Sequence, residues 1–271
     1  MNRLWALVFP VLFICLADLA IAQEDLAKAS QNPVGDIISL PVEYWHYDGL
    51  AGDSTVDVVV AKPVYPVNIG AINLINRLIV PYLWVDVDID NVDIGEIPSP
   101  QTQYSESGLG NIQYQGFLTP AAPGKVIWGL GPVLEMPTNT NDLGSDKWSA
   151  GPAAVVLTMP GNWVLGMLAQ NIWSFAGSSD AADVRKFTFQ YFINYNLSAG
   201  WYLTSTPIIT ADWEKPSDKR WTVPFGGGIG KLARFGKQPV DFKLQGFGNV
   251  EKPDGGPEWS LQFAVKFLFP K

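Results

Sequence analysis

The feature that most constrains this chain is a rhythm in its breaks. Runs of strand-like sequence are separated by connections that take turns between short and long. The short ones are 120–124 (PAAPG), 160–161 (PG), 197–200 (LSAG) and 235–237 (FGK). The longer ones are 88–109, 137–147, 176–183, 213–219 and 251–257. If every short turn lies at one end of the molecule, every long loop lies at the other. Barrels of the bacterial outer membrane have this asymmetry, with short periplasmic turns and longer external loops. An even strand number then returns both termini to the periplasmic side.

The runs between the breaks read as twelve strands: 36–48, 55–68, 72–87, 110–119, 125–136, 148–159, 162–175, 184–196, 201–212, 220–234, 238–250 and 258–269. The best of them alternate with period two, which sorts side chains onto two faces. In the eighth, Phe187, Phe189, Tyr191, Ile193 and Tyr195 oppose Thr188, Gln190, Asn194 and Asn196, with Phe192 as the exception. In the eleventh, Val240, Phe242, Leu244, Gly246 and Gly248 oppose Asp241, Lys243, Gln245 and Asn249. In the last, Trp259, Leu261, Phe263, Val265, Phe267 and Phe269 oppose Ser260, Gln262, Ala264 and Lys266. The expected fold is therefore all-β, an antiparallel transmembrane β-barrel of about 12 strands. Gln190, Asn194, Asp241, Lys243, Gln245, Gln262 and Lys266 are its expected pore-lining residues.

Composition agrees. Charged residues are 16% of the 271, against a usual share of about 25%, while 47% are hydrophobic and 13% aromatic. A barrel has no unpaired edge, so its outer face can be apolar and lipid-facing. The net charge of −8 excludes a basic nucleic-acid binder, and the hydrophobicity excludes disorder. Tryptophan collects at strand ends. Trp128, Trp163 and Trp201 follow short turns, and Trp84, Trp148, Trp173, Trp213, Trp221 and Trp259 flank long loops. Indole rings favour the membrane–water boundary, so these predict two aromatic girdles.

One long apolar run exists, Leu4 to Leu19, behind Asn2-Arg3 and ahead of Ala20-Ile21-Ala22. It reads as a secretory signal peptide cleaved after Ala22. The single cysteine, Cys15, falls inside it, and Ile14 before it disfavours a lipid anchor. Beyond it Glu24 to Ser30 suits a short helix that Pro33 would end. The expected parts are a signal peptide over 1–22, a periplasmic or plug segment over 23–35, and the barrel over 36–271. Twelve strands lie between the filled eight-stranded barrel and the open channel of 16–18, so a narrow or plugged pore is expected. Residues 23–35 or the 88–109 loop are the candidate plugs.

Three local patterns carry little chemistry. His46 is the only histidine, and nothing in VEYWHYDGL marks a nucleophile for it. Asp86, Asp88, Asp90 and Asp93 begin like a calcium loop. Asn91 and Ile97 then stand where that loop needs Gly and Glu. With Glu96 and Glu106 these acids form an acidic external loop without a base. Such a collar raises the local cation concentration. Gly226, Gly227, Gly228 and Gly230 before Lys231 miss the phosphate-loop spacing, since Leu232 replaces Ser or Thr. They suit a curved strand or a close approach.

The segments LAKASQNPVGDIISLP (26–41), GLGNI (108–112), WGLGPVLEMPT (128–138), KWSAGP (147–152), QNIWSFAG (170–177), INYNL (193–197), GWYLTSTPIITADWE (200–214), WTVPFGGGIGK (221–231), GKQPV (236–240), KPDGGPEW (252–259) and FLFPK (267–271) carry a resemblance. They look like an uncharacterised proteobacterial family whose members are usually labelled outer-membrane transporters, some under the misapplied label of a neuromedin U precursor. More remotely, the chain is similar to barrel proteins of phenol meta-degradation pathways. Residues 43–107 match least. One departure is that Phe269 is followed by Pro270 and Lys271, whereas barrel assembly signals usually finish on an aromatic residue. The resemblance implies an outer-membrane channel or transporter for small solutes, such as hydrophobic or aromatic compounds, and the acidic loop implies a preference for cations. No cofactor, no catalytic or metal-binding residue and no enzyme activity are implied. The expected surroundings are outer-membrane lipid and lipopolysaccharide, and the partner is a small-molecule solute. A lipid-acting barrel enzyme, an adhesion barrel and a soluble secreted β-sandwich are the alternatives.

Overall fold

A computed structural model describes residues 24–88 and 103–270. The signal peptide expected over 1–22 lies outside the described residues. Residues 24–30 form a helix, α1. Twelve strands follow. They are β1 (Ile38–Asp48), β2 (Thr55–Ala61 and Val64–Ile69), β3 (Ile72–Asp88) and β4 (Gln103–Leu109 and Ile112–Pro120). Next come β5 (Val126–Met136), β6 (Lys147–Thr158), β7 (Trp163–Gly177) and β8 (Arg185–Asn196). The last are β9 (Trp201–Ser205 and Ile208–Asp212), β10 (Trp221–Phe235), β11 (Gln238–Glu251) and β12 (Trp259–Phe269).

Each strand pairs antiparallel with its sequence neighbours. The first also pairs with the last, from Ile38↔Phe269 to Asp48↔Trp259. The sheet is a closed, up-and-down, antiparallel 12-stranded barrel. Closure pairs both edges of every strand, which is what lets β-structure stand in lipid.

The fourth strand is longer than the expected 110–119. Residues 103–109 continue it, pairing Tyr82↔Leu109 through Asp88↔Gln103. QYSESGL lacks apolar alternation, but the far half of β3 needs a backbone partner there, and that requirement outweighs composition. The long loop therefore spans less than 88–109. Two strand breaks fall at proline, Lys62–Pro63 in β2 and Thr206–Pro207 in β9. Proline cannot donate to the ladder.

The outer surface carries exposed apolar side chains such as Leu78, Leu118, Leu130, Met167, Ile193, Leu203, Ile229, Leu244 and Phe263. Trp128, Trp163 and Trp201 stand exposed at the short-turn end, and Trp84, Trp148, Trp173, Trp213 and Trp259 at the long-loop end. Trp213 and Trp221 meet edge to face at 5.6 Å.

The inner wall has two characters. On β3 to β8 an apolar cluster stands beside buried Asn73, Gln113, Gln115, Gln170 and Asn194. Ile75, Phe117, Val133, Val155, Leu157, Val164, Leu168, Ile172 and Phe192 form one buried cluster that Val34 joins from the segment after α1. On β1, β9, β11 and β12 polar groups collect, with buried Glu43, Thr204, Thr206, Asp241, Gln245 and Gln262. A uniformly polar interior, the simplest reading of the alternation, holds for neither wall, since the second also buries Trp45, Val60, Leu232, Phe247 and Leu268.

Candidate functional site

The site is a cavity of about 150 Å3 inside the barrel. Its floor is the N-terminal segment. Residues Ala29–Pro33, Gly35 and Ile37 line it, and above them come Glu43, Lys62, Arg77, Gln190, Phe192, Asn194, Tyr202, Asp241, Lys243 and Lys266.

α1 is fixed to the wall by side chains at the short-turn end. Ala27 packs against Leu232 of β10 and Leu268 of β12. Ser30 Oγ donates to the Ala27 carbonyl at 2.7 Å and to Asp241 Oδ2 at 3.3 Å. Gln31 Nε2 donates to Asn196 Oδ1 at 2.8 Å, and Lys266 Nζ donates to the Ser30 carbonyl at 2.7 Å. Helix and segment thus bridge β8, β10, β11 and β12 across the lumen.

A hydrogen-bonded network runs up the polar wall. Tyr202 Oη donates to Asp241 Oδ1 at 2.9 Å. Gln245 Nε2 donates to Gln262 Oε1 at 2.6 Å and to Thr206 Oγ1 at 2.7 Å. The proline break in β9 frees the Thr206 backbone N–H, which donates to Gln245 Oε1 at 3.1 Å. Glu43 collects three donors on one oxygen, Oε2. These are Lys62 Nζ at 2.7 Å, Gln262 Nε2 at 2.9 Å and Trp45 Nε1 at 3.0 Å. Toward the long-loop end, Trp45 stacks on Tyr47 at 5.9 Å and on Phe247 at 6.1 Å.

The glycine-rich stretch has a local purpose. Tyr202 lies over Gly230, and a Cβ there would come within 2.1 Å of its ring. The bare strand admits the ring whose hydroxyl reaches Asp241.

Of the sequence-predicted residues, Gln190, Asn194, Asp241, Lys243 and Lys266 line the cavity. Gln245 and Gln262 are buried in the adjoining network. Phe192, the exception to alternation, lines the cavity beside Asn194. Of the acidic group, the side chains of Asp86 and Glu106 fall among the described residues. Asp86 is exposed, and Glu106 is half-buried beside Val85 rather than beside Asp86. Asp90, Asp93, Glu96 and the Asp88 side chain lie outside the described residues. Among the described residues no cluster of three or more His, Cys, Asp or Glu could hold a metal. His46 sits at the outer rim, its Nδ1 2.8 Å from Asp57 Oδ1, which also accepts from Tyr44 Oη at 2.7 Å.

Sequence reasoning missed Glu43, Lys62, Arg77 and Tyr202. A signal existed for Arg77. It is the one charge in the apolar run INLINRLIVPYLWV, and a charge in a membrane strand belongs on the lumen side.

A family model described as "Putative MetA-pathway of phenol degradation" matches residues 29–267. The chain belongs to this family. Among solved structures it is similar to an outer-membrane channel of Pseudomonas putida F1, at 18% identity and a TM-score of 0.64. That match covers 87% of this chain and 97% of the other. The likeness concerns the fold. The toluene transporter TodX of Pseudomonas putida aligns more loosely, at 8% identity and a TM-score of 0.46, over 89% of this chain and 91% of that one. No curated protein sequence matches the chain.

Proposed function

We propose that this family member is an outer-membrane channel for small solutes, including apolar and aromatic ones, and not an enzyme. The carrying observation is the lumen itself. A closed barrel with an apolar exterior encloses a cavity lined by charged, polar and apolar side chains. The family description and the channel fold of the matched structure support the reading. On this proposal the chain is secreted with cleavage after Ala22 and surrounded by lipid and lipopolysaccharide. Segment 23–35 is a plug that narrows the pore from the periplasmic side. Gln190, Asn194, Asp241, Lys243 and Lys266 line the path.

The test is reconstitution of the purified mature chain in planar bilayers, after heat-modifiable gel migration has verified the barrel. Discrete conductance steps are expected. A folded protein that conducts nothing and admits no small aromatic solute into vesicles would refute the proposal.

A further inference from the structure

The charges around the cavity do not balance, and the imbalance is specific. Its lining holds four cations, Lys62, Arg77, Lys243 and Lys266, and two carboxylates, Glu43 and Asp241. Two cations are already engaged. Lys62 forms an ion pair with Glu43 at 2.7 Å. Lys266 faces Asp241 across the β11–β12 ladder and donates to the Ser30 carbonyl.

That leaves Arg77 and Lys243. Among the described residues neither makes an ion pair within 4.0 Å. Arg77 Nε and Nη1 are buried with no hydrogen-bond partner. Lys243 has one bond, to the Thr206 hydroxyl at 3.3 Å. Glu43 is within electrostatic reach of both, but its Oε2 already receives three donors. Burying a guanidinium without an acceptor is costly, and polar atoms left so in a native fold call for a partner. A carboxylate fits the guanidinium fork closely.

The rest of the cavity limits what the carboxylate can be attached to. Leu168 of β7, Phe192 of β8 and Val64 of β2 supply apolar lining. An apolar cavity of about 150 Å3 is known to take up a benzene-sized molecule. We infer that the cavity is a binding site for a small organic anion, one carboxylate on a body no larger than a single ring, with Arg77 and Lys243 as its charge partners. The inference takes the channel reading as its setting and gives that channel an internal well for anions.

The experiment is titration calorimetry on the purified mature chain in detergent, with benzoate, benzyl alcohol and benzylamine as probes. Benzoate is expected to bind about tenfold or more tightly than benzyl alcohol, the worth of one charge-assisted contact. Benzylamine is expected not to compete with it. Arg77→Gln and Lys243→Gln should each weaken benzoate by a similar factor, and Arg77→Lys should retain part of the affinity. Heat-modifiable migration verifies that each variant folds, and Lys243→Gln decides the matter if Arg77→Gln does not. The inference is overturned if benzoate gives no saturable heat, if benzyl alcohol binds as well, or if folded Lys243→Gln binds benzoate unchanged. Calorimetry needs no conduction. A chain that binds benzoate yet conducts nothing refutes the channel reading alone, and a conducting chain that ignores benzoate refutes this one alone.

Discussion

Glu43→Gln is the sharpest test of how the polar wall holds the barrel together. The substitution keeps the shape of the side chain and removes its charge. Glu43 Oε2 joins Lys62 of β2, Gln262 of β12 and Trp45 of its own strand within 2.7–3.0 Å. The Glu43 and Lys62 side chains are only 11% and 15% exposed. Removing one partner of a buried ion pair costs roughly 3–5 kcal/mol, mostly because the other charge is left unpaired. Both side chains keep some contact with the cavity, so the lower end applies, about 3 kcal/mol. That is roughly a hundredfold in the folded-to-unfolded ratio. Reversible urea unfolding in lipid vesicles, followed by tryptophan fluorescence, measures it. The same reasoning requires that Glu43→Gln with Lys62→Met recover about half of the loss, because an apolar replacement removes the stranded ammonium. A single substitution costing under about 1 kcal/mol, or a double one no more stable than the single, refutes the argument.

Other consequences can be checked separately. Deleting 23–35 removes the cavity floor, including the Ser30 and Gln31 contacts, and single-channel conductance should rise severalfold. Gly230→Ala drives a Cβ into the Tyr202 ring at 2.1 Å. It should destabilise the barrel by about 1–3 kcal/mol in the same unfolding assay, the usual cost of overpacking. In the long loops, Lys219 Nζ and Asp254 Oδ2 pair at 2.5 Å. Hydrogen bonding and the opposite charge lower the Asp254 pKa and raise that of Lys219. The tether is therefore held above the ordinary aspartate range and lost as pH falls through the lowered Asp254 value or rises through the raised Lys219 value. Loop proteolysis should accelerate at those extremes and in high salt, and Asp254→Asn should show the faster rate already at pH 7.

The legible parts of the sequence were those where the two faces of a strand meet different media. β12 alternates without a slip, Trp259 to Phe269 outward against Ser260 to Lys266 inward, because one side is the apolar exterior and the other faces the polar wall. β6 shows no such signal. Its inward Ala153, Val155 and Leu157 pack in the apolar cluster while its other face is also apolar, so period two disappears. The same mixture explains Phe192, which breaks the pattern of β8 because it fills the interior. Glu43 and its donors were hidden for another reason. Glu43 and Gln262 are 219 positions apart, and no local pattern reports a meeting that closure creates.

That closure also imposes an order of events. Eleven of the twelve strand pairings join sequence neighbours, which loop entropy allows to form early. The twelfth, β1 with β12, has to span nearly the whole chain. α1 immediately precedes β1, and its bonds to Asp241 and Lys266 reach the last two strands. The segment that fills the lumen is therefore tied to the seam itself. The strands that meet last are therefore also the strands that the N-terminal segment holds.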